Sequence, residues 1–550
     1  MPSTSNIAAF LPKLALERPH APAIVFPQGR DSQGRRAYTH LTYAQLDRES
    51  DRIARGLLKI GLRRGTRTVL MVRPSLPFFA LTFALFKAGI VPVMVDPGLG
   101  LRQLKTCLAQ AQPQAFIGIP QAHAARILLG WSRDSIELCV TVGRCWGWSG
   151  PTLAEVIALG EAEGPAVLAD TQPTETAAIL FTSGSTGVAK GVVYQHRHFI
   201  AQVELIAATY DIEPGEIDLP TFPLFALFDP ALGMTTVVPD MDFTRPAQVD
   251  PEKLLEAIND FGVTNVFASP ALLQAVSLHG QATGTQWRTV KRILTAGAPV
   301  QAQTLERMRA MLPAEAQIHT PFGATECLPV ASIESREVLT ETRARTESGA
   351  GVCVGRVVAP NIVTIIGISD GPLPTWADVR VLPAGEIGEI VVEGPSVTAA
   401  YFGRDDATAL AKIAHGNTIL HRMGDVGYLD GQGRLWYCGR KSHRVELADR
   451  TLFSAPVEEI FNPHPLVKRT ALVGVTLSGV RQAVLCIERQ DDSTVTDAQI
   501  VDSMREISER HPETEALRHF LLHPQFPVDV RHNAKIGREK LAIWAREKLQ

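Results

Sequence analysis

The 550-residue chain is predicted to be an α/β protein, with a large N-terminal domain of α/β sheets, a β-rich subdomain within it, and a small α+β C-terminal domain. Three observations predict this. Short runs rich in β-branched residues alternate with helical patterns early in the chain, as in a parallel sheet covered on both faces. After Gly351 the texture changes to short strands and turns. From about residue 441 α/β character returns over a stretch of ordinary domain size. The expected boundaries are 1–440 for the N-terminal domain, with its β-rich part at about 350–440, and 441–550 for the C-terminal domain.

Taken in order, TRTVLMV (66–72), IVPVMV (90–95), AFIGI (115–119), AAILF (177–181), NVFAS (265–269) and KRILTAG (291–297) read as buried strands. Residues 42–60 and 251–261 carry helical spacing. The most apolar run, 76–95, contains Lys87, Gly89 and Pro92. It reads as a buried helix, a glycine stop and a core strand, and no transmembrane segment is expected. NIVTIIGI, GEIGEIVVEG and GRLWYCGR supply the short strands of the β-rich part. In the last domain TALVGV and AVLCIE read as strands, and ISERHPETEALRHFLL (507–522) as a helix.

Composition excludes several classes. Hydrophobic residues make up 45% and charged residues 20%, an ordinary globular balance. A net charge of −3 gives no general attraction to nucleic acid or anionic membrane, so any anion site must be local and no nucleic-acid partner is expected. The 7 cysteines form no CxxC pair and are odd in number, which argues against a disulfide framework or zinc ribbon. A reducing, cytoplasmic compartment is expected. The N-terminal stretch has too short an apolar core for a secretory signal, and Glu17 argues against a transit peptide.

The stretch FTSGSTGVAKGVV (181–193) carries the first functional signal. Gly184 and Gly187 let backbone N–H groups approach a phosphate, because glycine has no Cβ in the way. Thr182, Ser183, Ser185 and Thr186 add hydroxyl donors, and Lys190 adds a cation. A strand precedes the loop, and a helix is expected to follow it. The loop is not a Walker A motif, which needs adjacent glycine and lysine followed by Ser or Thr. On residue type alone a surface turn remains the alternative.

TSGSTGVAKG resembles the signature loop of the acyl-adenylate-forming superfamily, with Ala189 where proline is usual. Four further blocks follow in the family's order: TAGAP (295–299), FGATE (322–326), MGDVGYLDGQGRLWYCGR (423–440) and HNAKIGREKL (532–541). The resemblance implies that ATP and Mg²⁺ are used to join a carboxylate to the α-phosphate, with release of pyrophosphate. It implies that the loop cradles pyrophosphate, that Thr186 and Lys190 position the phosphates, and that Glu326 ligates Mg²⁺, an ion suited to carboxylate and phosphate oxygens. Phe322 would offer a flat face to adenine, with Gly297, Ala298 and Pro299 opposite and Gly323, Ala324 and Thr325 adjoining. Asp425 and Arg440 would contact the ribose. Lys535, on a mobile C-terminal lid, would bridge the carboxylate and the α-phosphate. Taken singly, these residues have plainer readings: Phe322 as core, Asp425 as a turn acid, Lys535 as a solvated lysine.

Two departures from acyl-CoA ligases are visible. In GRKSHRVELADR (439–450) Ser442 takes the hinge position, Glu446 replaces a usual lysine and Asp449 a usual glycine, a loop expected to suit coenzyme A poorly. In FPLFALFDPALG (222–233) Ala226 stands where histidine is frequent, and the acid Asp229 follows. Asp229 reads either as a helix N-cap or as a contact, and candidate base, for a substrate hydroxyl. With its RHNAKIGREKL tail, the chain is most similar to the β-lactone synthetases of bacterial olefin biosynthesis. That resemblance implies adenylation of a long-chain 2-alkyl-3-hydroxyalkanoic acid and closure of a β-lactone by its own hydroxyl. It also implies assembly with the neighbouring enzymes of that pathway. The alternatives are a long-chain acyl-CoA ligase and a nucleotide-binding homologue without catalysis.

Overall fold

The computed structural model describes residues 5–160, 164, 166–182, 189–490, 495–528 and 536–550. A first sheet runs, edge to edge, through Leu138–Thr141, Ala115–Gly118, Arg67–Met71, Val91–Val95, Thr176–Thr182 and Lys190–Gln195. All neighbours are parallel except the last pair. The side-chain period of two sends Val69, Val93, Phe116 and Ile179 into one core and Leu70, Met94, Ile117 and Ala178 into another. Both faces are covered, which is why these strands read as unbroken apolar runs.

Leu76–Lys87 is the helix expected in the apolar run, and Gly89 at φ 65° turns the chain into Val91–Val95. Lys87 is buried, and its ammonium is held by Asp47 at 2.6 Å and Asp51 at 2.7 Å from the helix Tyr43–Lys59. That helix starts at a capping box made by Thr42 and Gln45. Among the described residues no helix is long and apolar enough to cross a membrane.

The β-rich part does not form a separate sheet. Among the described residues a 14-stranded sheet carries parallel strands Asn265–Ala268, Arg292–Thr295 and Gln317–Ala324. It then continues, antiparallel, through Cys327–Glu334, Val352–Val357, Arg434–Arg440, Thr418–Leu429, Gly388–Glu393 and Ile362–Ile366. The switch from parallel to antiparallel falls at Gln317–Ala324, whose last three residues begin the FGATE block.

The smaller C-terminal domain has its own sheet of Val467–Leu477, Val480–Arg489 and His519–Leu522, and its own core around Phe461, Leu485, Ile487 and Met504. The helix expected at 507–522 is not there. The helix is Asp497–Ser508, started by a Thr496–Gln499 capping box, and it ends before Pro512, which has no N–H to continue it. His519–Leu522 instead pairs in parallel with Val484–Ile487, because its apolar residues complete the sheet.

Burial also sets an acid limit. His196, His198 and His421 are almost fully buried, and desolvation lowers their pKa values to about 4, 3 and 3. Each folded-state value lies below the ordinary histidine value, so the stabilisation is complete above about pH 6.5 and is lost as pH falls toward 3. Each histidine then costs up to about 1.4 kcal/mol per pH unit. Melting temperature should fall steadily below pH 6.5, and a His198→Phe variant should show a shallower fall in a thermal-shift series.

Candidate active site

A cavity of about 1480 Å³ lies at the C-terminal ends of the parallel strands, where open α/β sheets bind ligands. Lys190 lines it, with its ammonium 5.0 Å from the Tyr401 ring centre. The Gly-rich loop sits inside a β-hairpin: Thr176–Thr182 pairs antiparallel with Lys190–Gln195, and the helix His196–Tyr210 comes only afterwards. The expected strand–loop–helix context is thus corrected, because 190–195 pairs with Thr176–Thr182 as the last strand of the sheet. No helix dipole follows the loop directly. Gly191 is required here, since a Cβ would lie 2.6 Å from the Phe181 ring. Ser183, Gly184, Ser185, Thr186 and Gly187 lie outside the described residues, as does the side chain of Thr182.

Glu326 and Thr325 form the turn between Gln317–Ala324 and Cys327–Glu334, and Phe322, Gly323, Ala324, Thr325 and Glu326 all line the cavity. The turn is held from outside. The Tyr194 hydroxyl donates to the Thr325 carbonyl, and Thr398 donates to the Glu326 carbonyl from its N–H at 2.9 Å and its hydroxyl at 3.1 Å. The Tyr401 hydroxyl donates to Glu326 Oε1. Burial opposes the Glu326 carboxylate, yet His421, Tyr401 and Lys412 together leave its pKa below the ordinary value. His421 is itself neutral at pH 7, with a pKa pushed down to about 3 by burial, so the Tyr401 hydroxyl and Lys412 do the holding. Burial lowers Lys412 to about 8 against the pull of Glu326, which still leaves it an ammonium at pH 7. His421 Nδ1 lies 3.2 Å from the Ala411 carbonyl, a partner that can only accept, so Nδ1 carries the proton and Nε2 is an acceptor.

Asp425 and Arg440 are direct neighbours on paired strands and form an ion pair at 3.1 Å. The Asp425 charge, working against burial, raises the Arg440 pKa. Arg440 lines the cavity, and the buried Asp425 stands behind it. Phe322 lies 6.0 Å from Tyr437, ring centre to ring centre. Gly297, at φ 101°, lines the cavity beside Ala296, whereas Ala298 and Pro299 stand off the wall.

A model of the AMP-binding enzyme family matches residues 12–402. The chain belongs to the AMP-binding enzyme family. Two relatives are each 56% identical: the olefin beta-lactone synthetase of Xanthomonas campestris pv. campestris, over 100% of this chain and 98% of that one, and the olefin beta-lactone synthetase of Stenotrophomonas maltophilia, over 99% of each. The fold is that of the amide bond synthetase McbA from Marinactinospora thermotolerans, with a TM-score of 0.78 at 20% identity over 98% of this chain and 99% of that one.

Within this AMP-binding enzyme, Asp229 is not brought to the site. Its neighbours Phe228 and Ala231 line the cavity, but Asp229 is fully buried, accepts from the Thr236 hydroxyl at 2.9 Å and faces Asp218. Burial raises the pKa values of both acids. Asp229 is not an N-cap either, since it is the first residue of the short helix Asp229–Leu232 and Phe228 precedes it as cap. At 439–450, Glu446 pairs with Arg444 at 3.0 Å and Asp449 with Arg450 at 3.1 Å, and each arginine also holds a second acid, Asp370 and Glu515 respectively. Ser442 lines the cavity; Lys441 beside it donates to the Ser369 carbonyl and to Glu389.

Lys535 lies outside the described residues. Just beyond it, Val528 bridges Ile536, and Arg538 forms a two-pronged pair with Glu458 that anchors the helix Arg538–Leu549. Among the described residues no group of three His, Cys, Asp or Glu could hold a metal by itself. A single carboxylate beside a phosphate site suits Mg²⁺, which takes one or two carboxylates and completes its shell with phosphate and water. Tyr401, Lys412 and His421 were missed from the sequence because no local pattern marks them. They reach Glu326 only through long-range packing.

Proposed function

We propose that the chain is an ATP-dependent β-lactone synthetase acting on long-chain 2-alkyl-3-hydroxyalkanoic acids. The carrying observation is 56% identity over the whole chain to two olefin beta-lactone synthetases. The cavity supports it, because one continuous space joins Glu326, Lys190 and Arg440 to walls of phenylalanine and leucine.

In this reading Lys190 and the 182–191 loop hold the phosphates, Phe322 and Gly297 flank the adenine, and Arg440, oriented by Asp425, contacts the ribose. Glu326, kept ionised by Tyr401 and Lys412, would hold Mg²⁺, which supplies charge neutralisation at the phosphates when bound. Lys535 meets the carboxylate and α-phosphate from a mobile C-terminal domain. The carboxylate displaces pyrophosphate; then the 3-hydroxyl oxygen bonds to the acyl carbon, the acyl–phosphate bond breaks, AMP departs with the electron pair and the hydroxyl proton is released. The nucleophile is tethered to the acyl group, so proximity replaces a second substrate. Asp229 has no part in it.

Incubation with ATP, Mg²⁺ and a 2-alkyl-3-hydroxy acid should give AMP, pyrophosphate and lactone without coenzyme A, read by mass spectrometry. A thioester formed only when coenzyme A is added would make the chain an acyl-CoA ligase instead. Lys535→Ala should retain ATP binding while slowing pyrophosphate exchange at least about tenfold. Exchange at the parent rate would remove Lys535 from the chemistry and favour a different cation.

A further inference from the structure

The acid proposed above carries two alkyl arms, and the cavity has apolar walls on both faces of the first sheet. Consecutive strand residues point to opposite faces, yet Leu70 and Met71 both line it, as do Met94 and Val95. Leu70 and Met94 belong to one core, Met71 and Val95 pack against the other. The space therefore wraps around the C-terminal ends of Arg67–Met71 and Val91–Val95 and reaches both layers of helices.

On the first face its walls are Phe78, Phe83, Val203, Ile206, Phe228 and Ala231. On the second they are Leu104, Ile119, Ala122, Ala125 and Trp131. The walls of both branches are buried: Phe83, Val203 and Ile206 on the first are at most 4% exposed, and Leu104, Ala122 and Trp131 on the second at most 7%. The total volume, about 1480 Å³, is shared between these two branches and the walls at Gly297, Phe322 and Arg440.

We propose that the two branches are separate sites for the two alkyl arms, one on each face of the sheet, with the carboxyl and hydroxyl carbons held at the strand ends between them. Trp131, Ala122 and Ala125 then set the limit on one arm, and Val203, Ile206 and Phe228 on the other. The proposal rests on the two-armed substrate of the preceding reading.

The test varies the arms independently in a set of synthetic 2-alkyl-3-hydroxy acids and follows AMP release by wild type, Ala125→Phe and Val203→Phe. The ratio of long-arm to short-arm kcat/KM within each protein is the readout. Each buried methylene is worth about fourfold, from roughly 0.8 kcal/mol per CH₂. Each variant should therefore lose at least about tenfold on lengthening one arm, and the two variants should lose it on different arms. Loss on the same arm, or on neither, overturns the two-branch assignment. For a variant that does not fold, wild-type protein photolysed with diazirine-tipped arms answers the same question. One arm should label residues 101–131 and the other 199–231, and both arms labelling one segment overturns the proposal. If wild type releases no AMP with any of these acids, the substrate reading itself is wrong, a result distinct from either failure.

Discussion

Glu326→Gln should lower the rate of pyrophosphate exchange by about 10²–10³, the usual cost of removing one electrostatic partner of a developing charge. The substitution preserves shape, and an amide oxygen can still accept from the Tyr401 hydroxyl that now meets Oε1. What it removes is the negative charge, the reason this carboxylate suits a hard divalent ion. The environment is built to keep that charge: Lys412 and the Tyr401 hydroxyl outweigh burial and leave the Glu326 pKa below its ordinary value. Two secondary effects should accompany the loss. The Mg²⁺ concentration for half-maximal exchange should rise, and Lys412, already lowered to about 8 and deprived of its counter-charge, should lose its proton more easily. Exchange measured across a Mg²⁺ series checks this, with ATP binding in Mg²⁺-free buffer as reference. An unchanged rate and unchanged Mg²⁺ dependence would take Glu326 out of the site.

Arg422→Met should be the most destabilising single change near the cavity, by about 3–5 kcal/mol, because it leaves a buried carboxylate without its main partner. Arg422 and Glu389 have side chains only 1% exposed and meet at 2.7 Å. All five guanidinium N–H groups are used: Nε and Nη2 donate to Glu389, Nη2 also to the Ser369 carbonyl, and Nη1 to the carbonyls of Gly371 and Leu410. Lys441, next to Ser442, shares Ser369 and Glu389. Thus one buried cluster joins the strand Thr418–Leu429, which carries Asp425, to the loop at 369–371 and to Lys441. Melting temperature reads the loss. The double variant Arg422→Met, Glu389→Leu should recover much of it, since no charge is then stranded. A single variant that melts with the parent, or a double variant worse than the single, would contradict the cluster's role.

Most of the strands were legible from apolar runs, because strands buried on both faces need no alternation and stand out as β-branched stretches. The helix expected at 507–522 failed for the converse reason: its last four residues are apolar enough for either state, and pairing with Val484–Ile487 decides between them. The loop after Thr182 was mistaken for a strand–helix junction because the run 190–195 is short. Its pairing with Thr176–Thr182, not its composition, makes it a strand. Asp425 and Arg440 were recognised by motif alone; their strands put them in register as direct partners.

By itself, the sequence determined the parallel α/β texture, the order of five blocks that resemble those of the acyl-adenylate-forming superfamily, and the types of donor, acid and cation each contains. These are local properties, written in residues that are neighbours along the chain. Only the tertiary structure decided which acids are ionised and where they point. Glu326 is kept charged by Tyr401, 75 positions away, and by Lys412, while Asp229 is turned from the cavity into a buried pair with Asp218. It also decided that the β-rich part extends the main sheet and that the cavity touches both faces of the other. The physical reason is that desolvation and charge pairing are set by whatever the fold packs alongside a group, and these partners come from distant parts of the chain.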